Sequence, residues 1–144
     1  MKKRQVVITG AGASGLMAAI MAARKGAAVT VLEQNEKPGK KICATGNGRC
    51  NFSNLARPDD AYRGEHPEFV EDALREFSVE NTIEFFKEIG IYPLNRNGYL
   101  YPRSNQAQSV VDVLCMEAAS LGVKIKTNEQ VTEIKTGTNE KNFQ

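Results

Sequence analysis

The residues of this 144-residue chain whose types and spacing most directly suggest chemistry are Gly10-Ala11-Gly12-Ala13-Ser14-Gly15 and, 21 positions beyond Gly12, Glu33. A Gly-x-Gly-x-x-Gly run that follows a strand and opens a helix is a cradle for a pyrophosphate. Its first glycine permits a sharp turn, the second lets the backbone approach the phosphates, and the third lets helix and strand pack closely. Amides at the helix start, those of Ala13 and Ser14 among them, point at the ligand, and the helix dipole adds roughly half a positive charge there. A carboxylate about 20 residues further on accepts hydrogen bonds from the 2′ and 3′ hydroxyls of a ribose and repels a 2′-phosphate. FAD and NAD both satisfy this pattern, whereas NADP at this position does not. The bland alternative for Glu33 is a surface glutamate that ends a strand.

For that chemistry the motif needs a strand before it, a helix after it and a second parallel strand ending at Glu33, and the sequence supplies all three. Gln5 to Thr9 carries the β-branched run Val6-Val7-Ile8, which predicts a short strand buried on both faces. From Ser14 to Lys25 the apolar positions Leu16, Ala19, Ile20 and Ala23 recur at helical intervals, and Gly26 stands where a helix commonly ends. Ala28 to Leu32 predicts a second buried strand, joined to the first by a right-handed crossover. The βαβ unit is thus 5–33.

Residues 34–66, rich in Gly, Asn, Lys, Arg and Pro, show neither helical nor alternating period and are expected to form a functional loop. From Pro67 to Ile89 two helical pieces are expected, the second capped by Ser78 and striped by Val79, Ile83 and Phe86. Ile91 to Tyr101 predicts a hairpin turning at Asn97-Gly98. Ser104 is expected to cap a helix running to about Leu121, with Val110, Val111, Leu114 and Ala118 inward. Val123 to Thr127 and Val131 to Thr136 predict two more strands. A further strand is expected to begin near Asn142-Phe143-Gln144, after a turn at Gly137-Thr138-Asn139, so the chain reads as cut off there.

The segments Gly39-Lys40-Lys41-Ile42-Cys43-Ala44 and Thr45-Gly46-Asn47-Gly48-Arg49-Cys50-Asn51-Phe52-Ser53-Asn54 separate the two cofactor readings. Following a GAGASGL helix start, and with Tyr101-Pro102-Arg103-Ser104-Asn105-Gln106-Ala107 further on, they resemble a bacterial family of NAD(P)/FAD-dependent oxidoreductases. That family includes bile-acid-inducible dehydro-bile-acid reductases and proteins labelled aminoacetone oxidases. The resemblance covers essentially the whole chain, and the TGxGRCNxSN string is far more specific than the glycine motif. It implies FAD with its adenosine at Glu33 and the adjoining Gln34 and its pyrophosphate at Gly12 to Ser14. Lys40 and Lys41 would flank the phosphates or ribityl chain, and the Gly46 to Asn51 loop, with Arg49 and Cys50, would approach the flavin. Val131 would meet the adenine edge through its backbone. NAD(P)H is the implied co-substrate, and reduction of conjugated carbon-carbon double bonds is within the family's range. The bland readings are a solvated charge pair for Lys40 and Lys41, a clamp on its own loop for Arg49, and an ordinary strand residue for Val131.

The expected fold is α/β, a Rossmann-like FAD-binding domain with a parallel sheet. Residues 1–144 would be its N-terminal part, truncated before the return strand on the flavin side and the substrate domain. The expected partner is a small-molecule substrate. With 19 basic and 17 acidic residues interspersed, no broad basic face for nucleic acid is implied. No apolar stretch reaches the roughly 20 residues of a membrane span, and the Met1-Lys2-Lys3-Arg4 start with its following apolar run is broken by Gly10, Gly12, Ser14 and Gly15, unlike a signal peptide. Three cysteines without a CxxC pair fit reduced thiols in a cytoplasm, and no metal-ligand cluster is present. Cys115 reads as core, and His66, before Pro67, is not expected to be catalytic; no catalytic acid can be named. Oligomeric state has no signature. Three other readings remain: an NAD-binding module without flavin, an FAD-containing RNA-modification protein with Lys37, Lys40, Lys41 and Arg49 on phosphate, and a cofactor-free structural fragment.

Overall fold

The computed structural model describes residues 3–56 and 61–135. They form two compact units, one from the residues up to Lys40 together with those from Cys115 onward, the other from Lys41 to Leu114.

In the first unit, β1 (Gln5–Thr9), α1 (Ala13–Arg24) and β2 (Ala28–Glu33) form the expected crossover, and β6 (Lys124–Thr127) adds a third parallel strand in the order β1-β2-β6. Register pairs Val6 with Val29 and Ile8 with Val31, while Val31 also faces Ile125 across the next ladder. Side chains of one pleat face therefore collect Val6, Ile8, Val29, Val31 and Ile125. Helix α1 packs on β1 and β2 and buries Gly15, Leu16, Ala19 and Ile20. Leu16 and Ile20 are wholly buried, and each stabilises the unit by about 1.5–3 kcal/mol relative to leaving it in water. Gly26, at φ 85, takes the left-handed turn that ends α1 and returns the chain to β2. Arg24 bonds Glu117 at 2.7 Å and ties α1 to the last turns of α5 (Ala107–Ser120).

The first strand corrects one expectation. It is not buried on both faces: its residues alternate, and Val7 is 64% exposed. A run of three β-branched residues specifies a strand but not how many of its faces are covered.

In the second unit, the expected loop also needs correction. Residues 40–48 form a short helix, α2 (Lys40–Ala44), and a 3₁₀ turn (Thr45–Gly48), and Ser53–Asn54 forms a two-residue strand, β3. Five residues with one buried anchor, Ile42, are too few to show a period. Helices α3 (Phe69–Glu76) and α4 (Val79–Glu88) follow, and α4 starts with a capping box in which Ser78 and Asn81 exchange side-chain-to-backbone bonds. The hairpin β4 (Pro93–Arg96) and β5 (Tyr99–Pro102) turns at Asn97-Gly98, both at positive φ, and β3 pairs antiparallel with β5. Helix α5 begins at Ala107, so Ser104 is not its N-cap; the Ser104 hydroxyl instead accepts from the Gln106 amide within the preceding turn.

Residues 131–135 form no strand. After β6, Asn128 takes a left-handed φ of 58 that turns the chain, and the Glu129 amide bonds the Glu33 carbonyl instead of continuing the ladder. Thr136 and the turn and strand expected after it lie outside the described residues. Among the described residues, no helix is long and apolar enough to cross a membrane.

Candidate functional site

At the carboxyl end of β1 the chain turns at Gly10, at φ 88, where the Gly10 amide donates to the Leu32 carbonyl at 2.7 Å. Glycine is required at Gly15 for a different reason: a Cβ there would stand 1.9 Å from the Gly10 carbonyl oxygen. Gly12 is extended, and a Cβ on it would meet nothing within 4 Å, so it borders open space. As the N-cap of α1, Gly12 offers no side chain to the helix, and the first turn carries no acidic residue. Ala13 and Ser14 are exposed. The start of α1 therefore has orphan amides, the positive end of a dipole and unobstructed space before it, which suits an anionic ligand.

Glu33 ends β2 with 6% of its surface exposed. Its Oε2 accepts from the Ala11 amide at 2.7 Å, so the carboxylate holds the middle of the glycine turn. Its Oε1 accepts from the Asn35 amide at 2.8 Å and from Asn35 Nδ2 at 2.5 Å. Of four lone pairs three are occupied, and the fourth, on Oε2, is left for a further donor such as a ribose hydroxyl. Donation from the Asn35 amide, helped by the Ala11 amide, the Asn35 side chain and the Lys40 charge, outweighs desolvation and holds the Glu33 carboxyl below its ordinary pKa. It is therefore an anion at neutral pH. Lys40 Nζ reaches Asn35 Oδ1 at 3.5 Å, and the Gly39 amide donates to the Ala11 carbonyl at 2.8 Å, drawing the segment after β2 against the turn. The Asn128 amide bonds the Asn35 carbonyl at 3.1 Å, and half-buried Val131 follows three residues later. Gln34 is exposed.

These residues fit the ADP moiety of a dinucleotide: a carboxylate for the ribose, free amides and space for the pyrophosphate, and a lysine alongside. Glu33, the glycine turn, Lys40 and the segment leading to Val131 are gathered in one unit. Asn35 and the Ala11 amide were not legible as site groups. The single available signal was an Asn two residues beyond the end of β2, where its side chain can bond nearby groups.

The remaining candidates belong to the second unit. Gly46 and Asn47 are left-handed at φ 55 and 56, and Cys50 at φ 58. A Cβ on Gly46 would come 2.7 Å from the Asn51 amide nitrogen, so the turn closes tightly on itself. Asn51 Nδ2 donates to the carbonyls of Ser53 and Leu100 at 2.9 and 3.0 Å, pinning the loop to β5. Arg49 Nε donates to the Gly46 carbonyl at 3.2 Å, and its guanidinium lies 5.3 Å from the centre of the Tyr101 ring. Arg49 is thus a half-buried clamp on its own loop. Cys50 is buried, and burial pushes its thiol pKa up, opposite to what a reactive thiolate requires. Lys41 is exposed, and His66 lies on the surface 3.1 Å from Glu68; Cys115, which belongs to the first unit, is half-buried.

The model of the HI0933-like protein Rossmann domain matches residues 4–144. The chain belongs to that family. It is 49% identical over 133 residues to a 3-dehydro-bile acid delta(4,6)-reductase of Clostridium scindens, covering 91% of this chain and 32% of that protein. It is 32% identical over 135 residues to a ribosomal RNA dihydrouridine synthase of Escherichia coli, covering 93% of this chain and 34% of that protein. The chain spans about a third of the length of these relatives. Among solved structures, a 3-ketosteroid-delta4-(5alpha)-dehydrogenase from Rhodococcus jostii superposes with a TM-score of 0.67 at 18% identity, covering 94% of this chain and 40% of the other. That likeness establishes the α/β Rossmann-like fold. Membership in a Rossmann-domain family accounts for the glycine turn, the crossover helix and the strand ending in Glu33 occurring together, since a strand, a glycine turn, a helix and a second strand are how a Rossmann unit begins.

Proposed function

We propose that residues 1–144 form the nucleotide-binding part of a flavin-dependent oxidoreductase and hold the ADP half of FAD. The observation that carries the proposal is the Glu33 carboxylate, anionic and fixed on the Ala11 amide, beside uncapped amides of α1 that face open space. In this reading Glu33 accepts a ribose hydroxyl, and the amides at Gly12 to Ser14 receive the pyrophosphate. Lys40 adds positive charge along the phosphates or ribityl chain, and Val131 is assigned to the adenine. Bound FAD supplies two-electron chemistry, passing hydride between NAD(P)H and an organic acceptor.

The acceptor class follows from what the relatives' names share. A delta(4,6)-reductase of a 3-dehydro compound and a dihydrouridine synthase both saturate a carbon-carbon double bond conjugated with a carbonyl. We therefore assign to the full-length protein the reduction of such a bond in a small organic molecule. The greater identity to the bile-acid enzyme favours a small molecule over RNA. A ribosomal RNA substrate is the second reading, supported by relatives at 32% and 35% identity. Its signature is substrate affinity that falls steeply with salt.

The test is the visible absorption spectrum of the purified protein before and after incubation with FAD and desalting. Retained oxidised-flavin bands, bleached on adding NADH or NADPH, are the expected result. A protein that neither carries nor takes up flavin would overturn the proposal and favour the NAD-only module.

A further inference from the structure

Glu33, Lys40 and the segment that leads to Val131, which the flavin reading assigns to one cofactor, meet at a residue with no role in that reading. Asn35 donates twice to Glu33 Oε1, through its amide at 2.8 Å and its Nδ2 at 2.5 Å. Its Oδ1 lies 3.5 Å from Lys40 Nζ, and its carbonyl accepts the Asn128 amide at the start of the segment that leads to Val131. From these contacts we infer that Asn35 is a positioning residue for nucleotide binding. It fixes Oε1 so that the free lone pair of Oε2 keeps one direction, and it holds Lys40 and the Asn128 turn in register with the carboxylate. The inference rests on the assignment of Glu33 to the ribose.

The chemistry favours this over a merely structural tie. Glu33 is already anchored to the fold by the Ala11 amide and by its own backbone in the β2 ladders. The second donor from Asn35 is surplus to that anchoring. With the Ala11 amide on Oε2 and the Asn35 amide on Oε1, what Nδ2 adds is a third donor that stiffens the carboxylate's orientation and couples it through Oδ1 to Lys40. Such restraint is what a ligand site requires of the groups behind its contact atoms. The Asn35 donors also stabilise the anionic form, which is the form that accepts from a hydroxyl.

The experiment is a flavin-fluorescence titration of the full chain with FAD, from neutral pH into the acid range, for wild type, Glu33→Gln, Asn35→Ala and Asn35→Asp. Asn35→Ala is expected to weaken FAD binding about tenfold at neutral pH, the loss of one charge-assisted hydrogen bond. It should also move the acid limb of binding to higher pH, because the Glu33 carboxyl is released toward its ordinary range. Asn35→Asp, nearly isosteric, sets a second anion against Glu33; it should bind more weakly still at neutral pH and recover part of the loss as the introduced carboxyl takes up a proton and becomes a donor. If Asn35→Ala does not fold, Asn35→Asp carries both readouts. Asn35 variants with wild-type affinity, or with weakened affinity and an unmoved acid limb, would overturn the inference while a weakened Glu33→Gln leaves the ribose assignment standing. A Glu33→Gln chain that binds FAD like wild type removes the ribose assignment and the inference with it.

Discussion

Gly12 and Gly15 lie three residues apart in one motif, yet the geometry around them predicts opposite outcomes for the same substitution. In Gly15→Ala the new methyl would stand 1.9 Å from the Gly10 carbonyl oxygen, and 3.4 Å marks the onset of ordinary contact, so the first turn of α1 must move about 1.5 Å from the turn after β1. Backbone, not a flexible side chain, has to give. Overpacking of this kind costs about 3 kcal/mol, the upper end of the usual range. For a chain of this size that lowers Tm by about 10 °C. Gly12→Ala adds its methyl where nothing lies within 4 Å, so the fold loses only an N-cap preference of about 1 kcal/mol or less. If that open space receives a pyrophosphate, however, the methyl obstructs it and FAD binding weakens by tenfold or more. Thermal unfolding by circular dichroism, paired with FAD titration, separates the two effects. A Gly15→Ala chain that melts within a degree or two of wild type would refute the close-approach argument, and a Gly12→Ala chain with undiminished FAD affinity would refute the placement of the phosphates.

Three further outcomes follow from the geometry. The folded-state pKa of Glu33 is depressed, so its contribution to stability is present above its unfolded value of 4.5 and is lost as pH falls through the folded value; Glu33→Gln should destabilise the fold by about 1–2 kcal/mol at neutral pH and flatten the acid limb of a Tm-versus-pH curve. Ser78→Ala removes the acceptor that takes the Asn81 amide at 3.3 Å and should cost about 1 kcal/mol in urea unfolding, an effect absent from Ser104→Ala because Ser104 caps no helix. Gly46→Ala combines a left-handed φ of 55 with a 2.7 Å approach to the Asn51 amide and should lower stability by about 2 kcal/mol or more, seen as loss of the Asn51 Nδ2 resonances that report its bonds to Ser53 and Leu100.

Much of the first unit was legible because its determinants are local. The β-branched run of β1, the helical spacing of Leu16, Ala19 and Ile20, and Gly26 at the left-handed end of α1 each act within a few residues. The short crossover and the strand after Gly122 placed β1, β2 and β6 in one parallel sheet, while their order, β1-β2-β6, came only from the fold. What was not legible depends on partners distant in sequence. Val7 is apolar like its neighbours, and its exposure reflects which sheet face is covered. Residues 131–135 have a strand-like composition, but the left-handed turn at Asn128 and the bond from the Glu129 amide to the Glu33 carbonyl take the chain off the ladder. The position of Glu33 at the end of β2 was legible from spacing, whereas its bond to the Ala11 amide, and the share that Asn35 takes of the carboxylate, need the folded turn. Short α2 escaped detection because five residues show no period.

The measurement that tests the central claim most directly is the equilibrium titration of FAD against the wild-type chain and Glu33→Ala, followed by quenching of flavin fluorescence and competed with ADP. Saturable binding that ADP displaces, and that Glu33→Ala weakens strongly, is the predicted result. Equal FAD affinity in the two chains, or FAD binding that ADP does not displace, would contradict the assignment of the glycine turn and Glu33 to the ADP half of the cofactor.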